Sequence, residues 1–374
     1  MYKTMNITFI TTVNHNVGDD FIREGLKYIL TKYFGKEKLK FTNIHKHSPI
    51  TSRYGFENVR NLATSMKWDA KIPLKPFFIP DRIKSADLVV QSGAPVYWCH
   101  PNNGCHQNEW YQPLIKYRWI PLHKKGAKLA NLAAGSCQHY HSDGKEFLDY
   151  PEVINYIKKF YDLCTVTTVR DTLSGNILEH LGLDVPVIPC SSIFAKDYYN
   201  VKAESGEYVV LNYMKGGAHY TFGQSIDFEA WQNNFKNFYE IIKKKENIVF
   251  SCHNQKEVDE VKELDSNAQI FYSKDKYLDY IKFYAKAKFG IMNRIHGAFL
   301  IASFGKPAII IGNDTRARMS SEIGLQNFFV NDVSVDLLLE KYEFLRNGSD
   351  SYNEKFERIK LKAEQDYLEN LSKL

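Results

Sequence analysis

Short apolar runs that stop at small-residue turns alternate along this chain with longer segments carrying an apolar stripe, and that alternation decides what it can fold into. Residues 7–13, 86–91, 127–133, 163–169 and 185–190 read as strands in the first half, and residues 208–213, 248–252, 268–272, 289–292 and 308–311 in the second. A helix over 21–34 follows the first strand, with Phe21, Leu26, Ile29 and Leu30 toward a core and Asp19 or Asp20 as its cap. Helices over 228–245, 276–285 and 298–304, and one through Leu181 that stops at Gly182, fill other gaps. Strands alternating with helices predict an α/β protein with a parallel sheet in each half.

At 374 residues the chain exceeds what one core usually holds. The pattern lapses into polar residues around 198–206, which divides it into Rossmann-like domains over 1–200 and 201–335. In the tail, 336–374, charged residues surround Phe356, Ile359, Ala363, Tyr367 and Leu371, the stripe of a helix that packs back on the domains.

Hydrophobic residues make up 44% and charged ones 25%, which excludes a disordered chain. The net charge of +6 suits an anionic substrate, and the short basic runs come with no nucleic-acid motif, so no nucleic-acid partner is expected. No run reaches the roughly 18 apolar residues of a membrane span, and the first residues show no secretion signal, so a cytoplasmic location is expected. Six cysteines are sparse for this length and predict no disulfide framework. Cys99-His100 and Cys105-His106 carry zinc-type donors at a spacing that matches no zinc motif, so no metal is expected. With Trp98, Trp110 and Tyr111 they read instead as a loop over the cleft.

Chemistry belongs at the strand ends facing a cleft between the two halves. Asn293-Arg294-Ile295-His296-Gly297 puts an arginine and a histidine between a strand's carboxyl end and a helix's amino end, where anions are favoured. Arg170 ends the 163–169 strand, so the two halves could clamp one dianion between Arg170 and Arg294. Paired with Asp171, Arg170 could equally be structural. Arg316 follows the 308–311 strand beside Asp314, which either caps the next helix or pairs with it. Asn16, Gly18 and Asp19 end the first strand; Gly18 allows close backbone approach and Asp19 can meet a hydroxyl. His296 can carry a proton near neutral pH. No G-x-G-x-x-G follows the first strand and no P-loop motif occurs, which counts against dinucleotides and P-loop nucleotide binding.

At these residues the chain resembles the polysaccharide pyruvyl transferase superfamily. The resemblance runs through Asn16-Val17-Gly18-Asp19, Val169-Arg170-Asp171 with Ser174, Pro186-Val187-Ile188-Pro189, Ser251-Cys252-His253-Asn254, Arg294-Ile295-His296-Gly297, Gly305-Lys306-Pro307 and Asp314-Thr315-Arg316. It implies a GT-B-like pair of Rossmann-like domains, an acceptor side over 1–200 and a donor side over 201–335. It further implies transfer of a pyruvyl group from phosphoenolpyruvate onto two hydroxyls of a sugar in cell-envelope glycan synthesis. Phosphate leaves and a ketal forms, with no cofactor. Arg170, Arg294 and Arg316 would hold the donor, and His296 would be the general acid or base. The acceptor is then a saccharide, or a lipid-linked one that brings the protein at most peripherally to a membrane. A nucleotide-sugar glycosyltransferase or a non-catalytic carbohydrate-binding protein on the same fold are the alternatives.

Overall fold

The computed structural model describes residues 4–13, 16–35, 38–46, 83, 85–93, 95–100, 104–106 and 127–374. In the first half lie β1 (Thr4–Thr11), α1 (Val17–Phe34), β2 (Lys38–His45), β3 (Leu88–Ser92), β4 (Pro95–His100), β5 (Gly104–His106), β6 (Lys128–Ser136), α2 (Pro151–Leu163), β7 (Val166–Val169), α3 (Thr172–His180) and α4 (Ala195–Tyr198). The second half holds β8 (Tyr208–Asn212), α5 (Phe228–Ile242), β9 (Ile248–Ser251), α6 (Gln255–Leu264), β10 (Ile270–Phe271), α7 (Tyr277–Ala285), β11 (Ala287–Met292), α8 (Ile295–Ser303), β12 (Ala308–Gly312), α9 (Thr315–Arg318) and β13 (Gln326–Phe329). Two helices, α10 (Val335–Asn347) and α11 (Ser349–Leu371), close the chain.

The first sheet runs β2-β1-β3-β6-β4-β5 with β7 also on β6, and the second runs β10-β9-β8-β11-β12-β13. Among the described strands every ladder is parallel except β4 with β5. Parallel strands put all their carboxyl ends on one edge of each sheet, and the two edges meet at the cleft. One apolar cluster runs from Ile7 and Phe9 through Phe21 and Leu26 of α1 to Phe299 and Leu300 of α8 and Leu371 of α11. The two sheets therefore share a core, while separate clusters cover their outer faces. Across the seam, Gln138 N–H donates to Thr315 Oγ1 (2.9 Å), Thr315 N–H returns to Gln138 O (3.0 Å), and Arg318 reaches Ser142 O (2.8 Å).

Helix α11 ties the halves together. Its buried stripe is Phe356, Ala363, Tyr367 and Leu371, with Ile359 partly covered. Tyr28 donates to Glu364 (2.9 Å), Lys360 pairs with Asp197 (2.8 Å), Tyr367 donates to Pro189 O (3.1 Å) and Tyr352 to Ile323 O (3.3 Å).

The structure departs from the sequence reading in several places. Helix α1 is capped by Asn16, whose side chain accepts from Gly18 N–H (3.2 Å), and not by Asp19 or Asp20, which sit inside its first turn. Residues 185–190 make only a single parallel bridge, Val169 to Val187, because Pro186 and Pro189 lack the N–H a ladder needs. The polar edge strands β2 and β13 and helices α2 and α6 were not read as elements, and Cys99-His100 and Cys105-His106, read as a loop over the cleft, lie on the paired strands β4 and β5. Cys99 is disulfide-bonded, contrary to the expectation of none, and Cys105 stands opposite it in the β4–β5 register. Trp110 and Tyr111 lie outside the described residues. No helix among the described residues is long and apolar enough to cross a membrane.

Candidate active site

Strand ends deliver the site's side chains, and three amides lock those ends together. Asn212, at the end of β8, accepts from Arg294 N–H (2.8 Å) and donates to Ser251 O (2.7 Å). Asn293, just past β11, accepts from Met214 N–H (2.9 Å) and donates to Ile311 O of β12 (2.8 Å). Asn313, just past β12, donates to Gly216 O (2.6 Å). Arg294 and His296 thus leave a frame in which β8, β9, β11 and β12 are cross-tied, and α8 begins at Ile295 with His296 in its first turn.

Asn16, Gly18, Asp19, Arg170, Arg294, His296 and Arg316 all line one cleft at this frame. The seven candidate site residues read from the sequence are therefore brought to one place. Arg170 comes from the end of β7, where its N–H donates to Ala134 O (2.9 Å). Its guanidinium passes over Gly135, where a Cβ would stand 2.3 Å from Nε, so glycine is what gives it room. Gly18 does the same for His296: a Cβ there would lie 2.7 Å from the ring's Nδ1. The imidazole consequently packs against the first turn of α1.

Two of the three arginines are already held by carboxylates. Arg294 Nε donates to Glu257 Oε1 (2.8 Å), and its NH2 meets the same oxygen. Glu257 also accepts from His253 N–H (2.9 Å), Asn254 (2.8 Å) and Asn212 (3.1 Å). Arg316 forks onto Asp314, Nε to Oδ1 at 2.9 Å and NH2 to Oδ2 at 2.6 Å, while Asp314 caps α9 through Arg316 N–H (3.0 Å). Both structural readings of Asp314 hold together with a place for Arg316 in the cleft. Arg170 differs. It is 1% exposed, its Nε has no hydrogen-bond partner, and the Asp171 carboxylate stands 3.9 Å away, beyond hydrogen-bond reach. Asp171 is instead occupied with capping α3, accepting from Ser174 N–H and Oγ, both at 2.8 Å.

Arg170 NH1 approaches His296 Nε2 at 3.4 Å. Arginine has no acceptor, so Nε2 presents its lone pair and the neutral ring carries its proton on Nδ1. Burial, and next the Arg170 charge, hold the His296 imidazole well below its ordinary value. Burial likewise pushes His253 down to about 3, and burial with the Arg294 charge lowers His219. Asp19 is the counterweight. Burial acts to raise its carboxyl, but Lys46, the Thr12 hydroxyl, His296 and Arg170 outweigh this and leave it below the ordinary range, hence anionic. The site at neutral pH thus pairs a neutral histidine with an ionised aspartate among three arginines.

His219, His253, Glu257 and Asp314 complete the cleft or its support. His253 and His219 were visible as strand-end residues; Glu257 was not, because α6 was not read as a helix. The sequence profile of the polysaccharide pyruvyl transferase family matches residues 16–315. Among solved structures, the chain is similar to the UDP-GlcNAc 2-epimerase of Neisseria meningitidis bound to UDP-GlcNAc, at 12% identity and a TM-score of 0.52, over 100% of each chain. It is also similar to the S. aureus MnaA–UDP co-structure, at 14% identity and a TM-score of 0.50, over 95% of this chain and 91% of that one. These likenesses give the class of fold, two Rossmann-like units in a GT-B-like arrangement with a C-terminal helix. The chain belongs to the polysaccharide pyruvyl transferase family. No curated protein matches it.

Proposed function

We propose that this transferase moves a pyruvyl group from phosphoenolpyruvate onto two hydroxyls of a sugar in a glycan or lipid-linked saccharide, forming a ketal and releasing phosphate. The observation that carries this reading is Arg170, a buried guanidinium with an unpartnered Nε, facing two arginines that are already charge-matched. A buried cation without a hydrogen-bonded anion is costly, and an anion supplied by the ligand relieves the cost. Phosphoenolpyruvate carries a phosphate and a carboxylate on three carbons. Arg170 takes one of them, and the remaining N–H groups of Arg294 and Arg316 take the other.

In this reading Arg170 turns to the donor and releases Nε2 of His296. The neutral ring accepts the proton of the first attacking hydroxyl and returns it to the donor's methylene carbon, which becomes the methyl group. The hydroxyl oxygen bonds to the central carbon. The second hydroxyl then bonds to the same carbon as the C–O bond to phosphate breaks, and its proton leaves with the phosphate. Asp19, anionic beside the ring, steadies the imidazolium formed between the two transfers. Residues 1–200 would supply the acceptor side, 201–335 the donor side, and 336–374 the clasp between them. The reaction would run in the cytoplasm, with at most peripheral contact with a membrane.

The test is thermal shift of the full chain with phosphoenolpyruvate against a panel of nucleotide sugars. A ligand at 100 times its dissociation constant stabilises by about 2.7 kcal/mol, which a melting curve resolves. Stabilisation by phosphoenolpyruvate supports pyruvyl transfer. A shift with UDP-GlcNAc alone, the sugar nucleotide bound by the N. meningitidis epimerase, would favour a nucleotide-sugar enzyme.

A further inference from the structure

The cleft does not end at the arginines. A second chamber of about 470 Å³ continues from it, sharing Asn16, Asp19, His219, His253, Arg294 and Arg316 as a common wall. What sets the outer chamber apart is aromatic. Trp98, on β4, and Tyr220 meet edge to face with ring centroids 4.9 Å apart at 83°. Phe222 supports both, at 6.0 Å from Trp98 and 5.7 Å from Tyr220. The Arg316 guanidinium lies 5.7 Å over the Tyr220 ring, so one arginine belongs to the inner pocket and braces the outer wall. Tyr220 keeps 39% of its surface exposed in a chain whose other cleft aromatics are largely packed. Trp98 Nε1 is buried and has no hydrogen-bond partner.

A pyranose ring presents an apolar C–H face and a rim of hydroxyls. Its complement is a flat aromatic surface with a few fixed donors and acceptors, because stacking fixes the face and hydrogen bonds fix the rotation. The outer chamber offers an aromatic corner, with the Tyr220 ring 39% exposed and Trp98 set at 83° to it, and the Asp19 carboxylate on the shared wall is an acceptor. The Trp98 indole N–H, buried without a partner, is a donor that a small rotation of the ring would offer to a ligand. We propose that Trp98 and Tyr220 form the acceptor subsite, an aromatic corner in which one ring face stacks on a hexopyranose whose two hydroxyls turn toward the inner pocket. This rests on the pyruvyl-transfer reading for its role. Its existence as a sugar site does not.

Saturation-transfer NMR on the full chain tests it with methyl hexopyranosides of gluco, galacto and manno configuration, UDP as comparator, and melting shifts with phosphoenolpyruvate recorded on the same samples. The expected result is saturation of ring C–H protons of at least one glycoside by the parent, weakened at least about tenfold in Trp98→Ala and Tyr220→Ala. Trp98→Phe, which keeps a ring and loses one N–H, weakens it about fivefold. The phosphoenolpyruvate shift stays at the parent's value in the two Trp98 variants, which also shows that they fold, and a cooperative melt shows the same for Tyr220→Ala. Absence of any glycoside signal in the parent, or signals unchanged in both alanine variants, overturns the proposal. So does saturation of the uracil protons of UDP that disappears in Trp98→Ala, since the aromatic corner would then hold a nucleobase. If glycoside signals depend on Trp98 while phosphoenolpyruvate shifts nothing, the subsite stands and the donor reading falls.

Discussion

At the edge built by β7, Arg170 stands with its Nε unpartnered and no carboxylate in hydrogen-bond reach, whereas at the edge built by β11 and β12 each arginine is clasped by one, Arg294 by Glu257 and Arg316 by Asp314. All of these groups are largely buried, so exposure does not explain the difference. The clasped pair is preorganised: its N–H directions are fixed by the protein and its charge is offset before any ligand arrives. Arg170 keeps only the 3.9 Å ion pair with Asp171, and in the proposed reading the ligand's anion completes its partners. One edge thus sets geometry and the other sets the demand for an anion.

Glu257→Gln breaks this comparison by making Arg294 resemble Arg170. Removing one partner of a buried ion pair costs about 3–5 kcal/mol, and the loss will appear as a lower urea midpoint at unchanged slope. A change under 1 kcal/mol would mean that Glu257 does not hold Arg294 as described. Gly18→Ala sharpens the other edge. Its Cβ would meet His296 Nδ1 at 2.7 Å, so the ring must shift, at about 1–3 kcal/mol of overpacking. Turnover should fall while phosphoenolpyruvate binding is kept, and equal kcat in the two proteins would detach the ring's position from catalysis.

Acidity gives a graded change. His296, His253 and His219 are all lowered below the ordinary imidazole value in the folded chain. Between their folded values and about 6.5 the unfolded chain binds more protons, so stability is full above pH 6.5 and is lost as pH falls. The two covered rings, His296 and His253, each contribute a slope of up to about 1.4 kcal/mol per pH unit, and the exposed His219 contributes little. Denaturation midpoints from pH 7.5 to 5 check this, and His253→Gln should flatten the slope by one histidine's share. An unchanged slope in His253→Gln would contradict the buried neutral state of that ring.

Much of this was legible in the sequence because strands buried on both faces read as apolar runs, as at 208–213 and 308–311, and their ends then name the cleft. Asn16, Arg170, Arg294, His296 and Arg316 were found that way. What escaped has physical reasons. β2, KLKFTNIH, and β13, QNFF, lie at sheet edges and are only partly buried, so their apolar signal is thin. Helix α6, QKEVDEVKEL, buries only Glu257, Val258, Glu260 and Val261, and half of these are carboxylates. A buried glutamate announces itself through its partner, and that partner is 37 residues away in Arg294. The run 185–190 looked like a strand by hydropathy, but its two prolines leave it one bridge.

The central claim is that Arg170 waits for the donor's anion. Isothermal calorimetry of the full chain with phosphoenolpyruvate, beside Arg170→Ala and with UDP-GlcNAc as comparator, tests it directly. The account predicts saturable one-to-one binding of phosphoenolpyruvate, weakened about 100-fold or more in Arg170→Ala, and no binding of UDP-GlcNAc. Equal phosphoenolpyruvate affinity in the two proteins, or binding of UDP-GlcNAc with none of phosphoenolpyruvate, would contradict it.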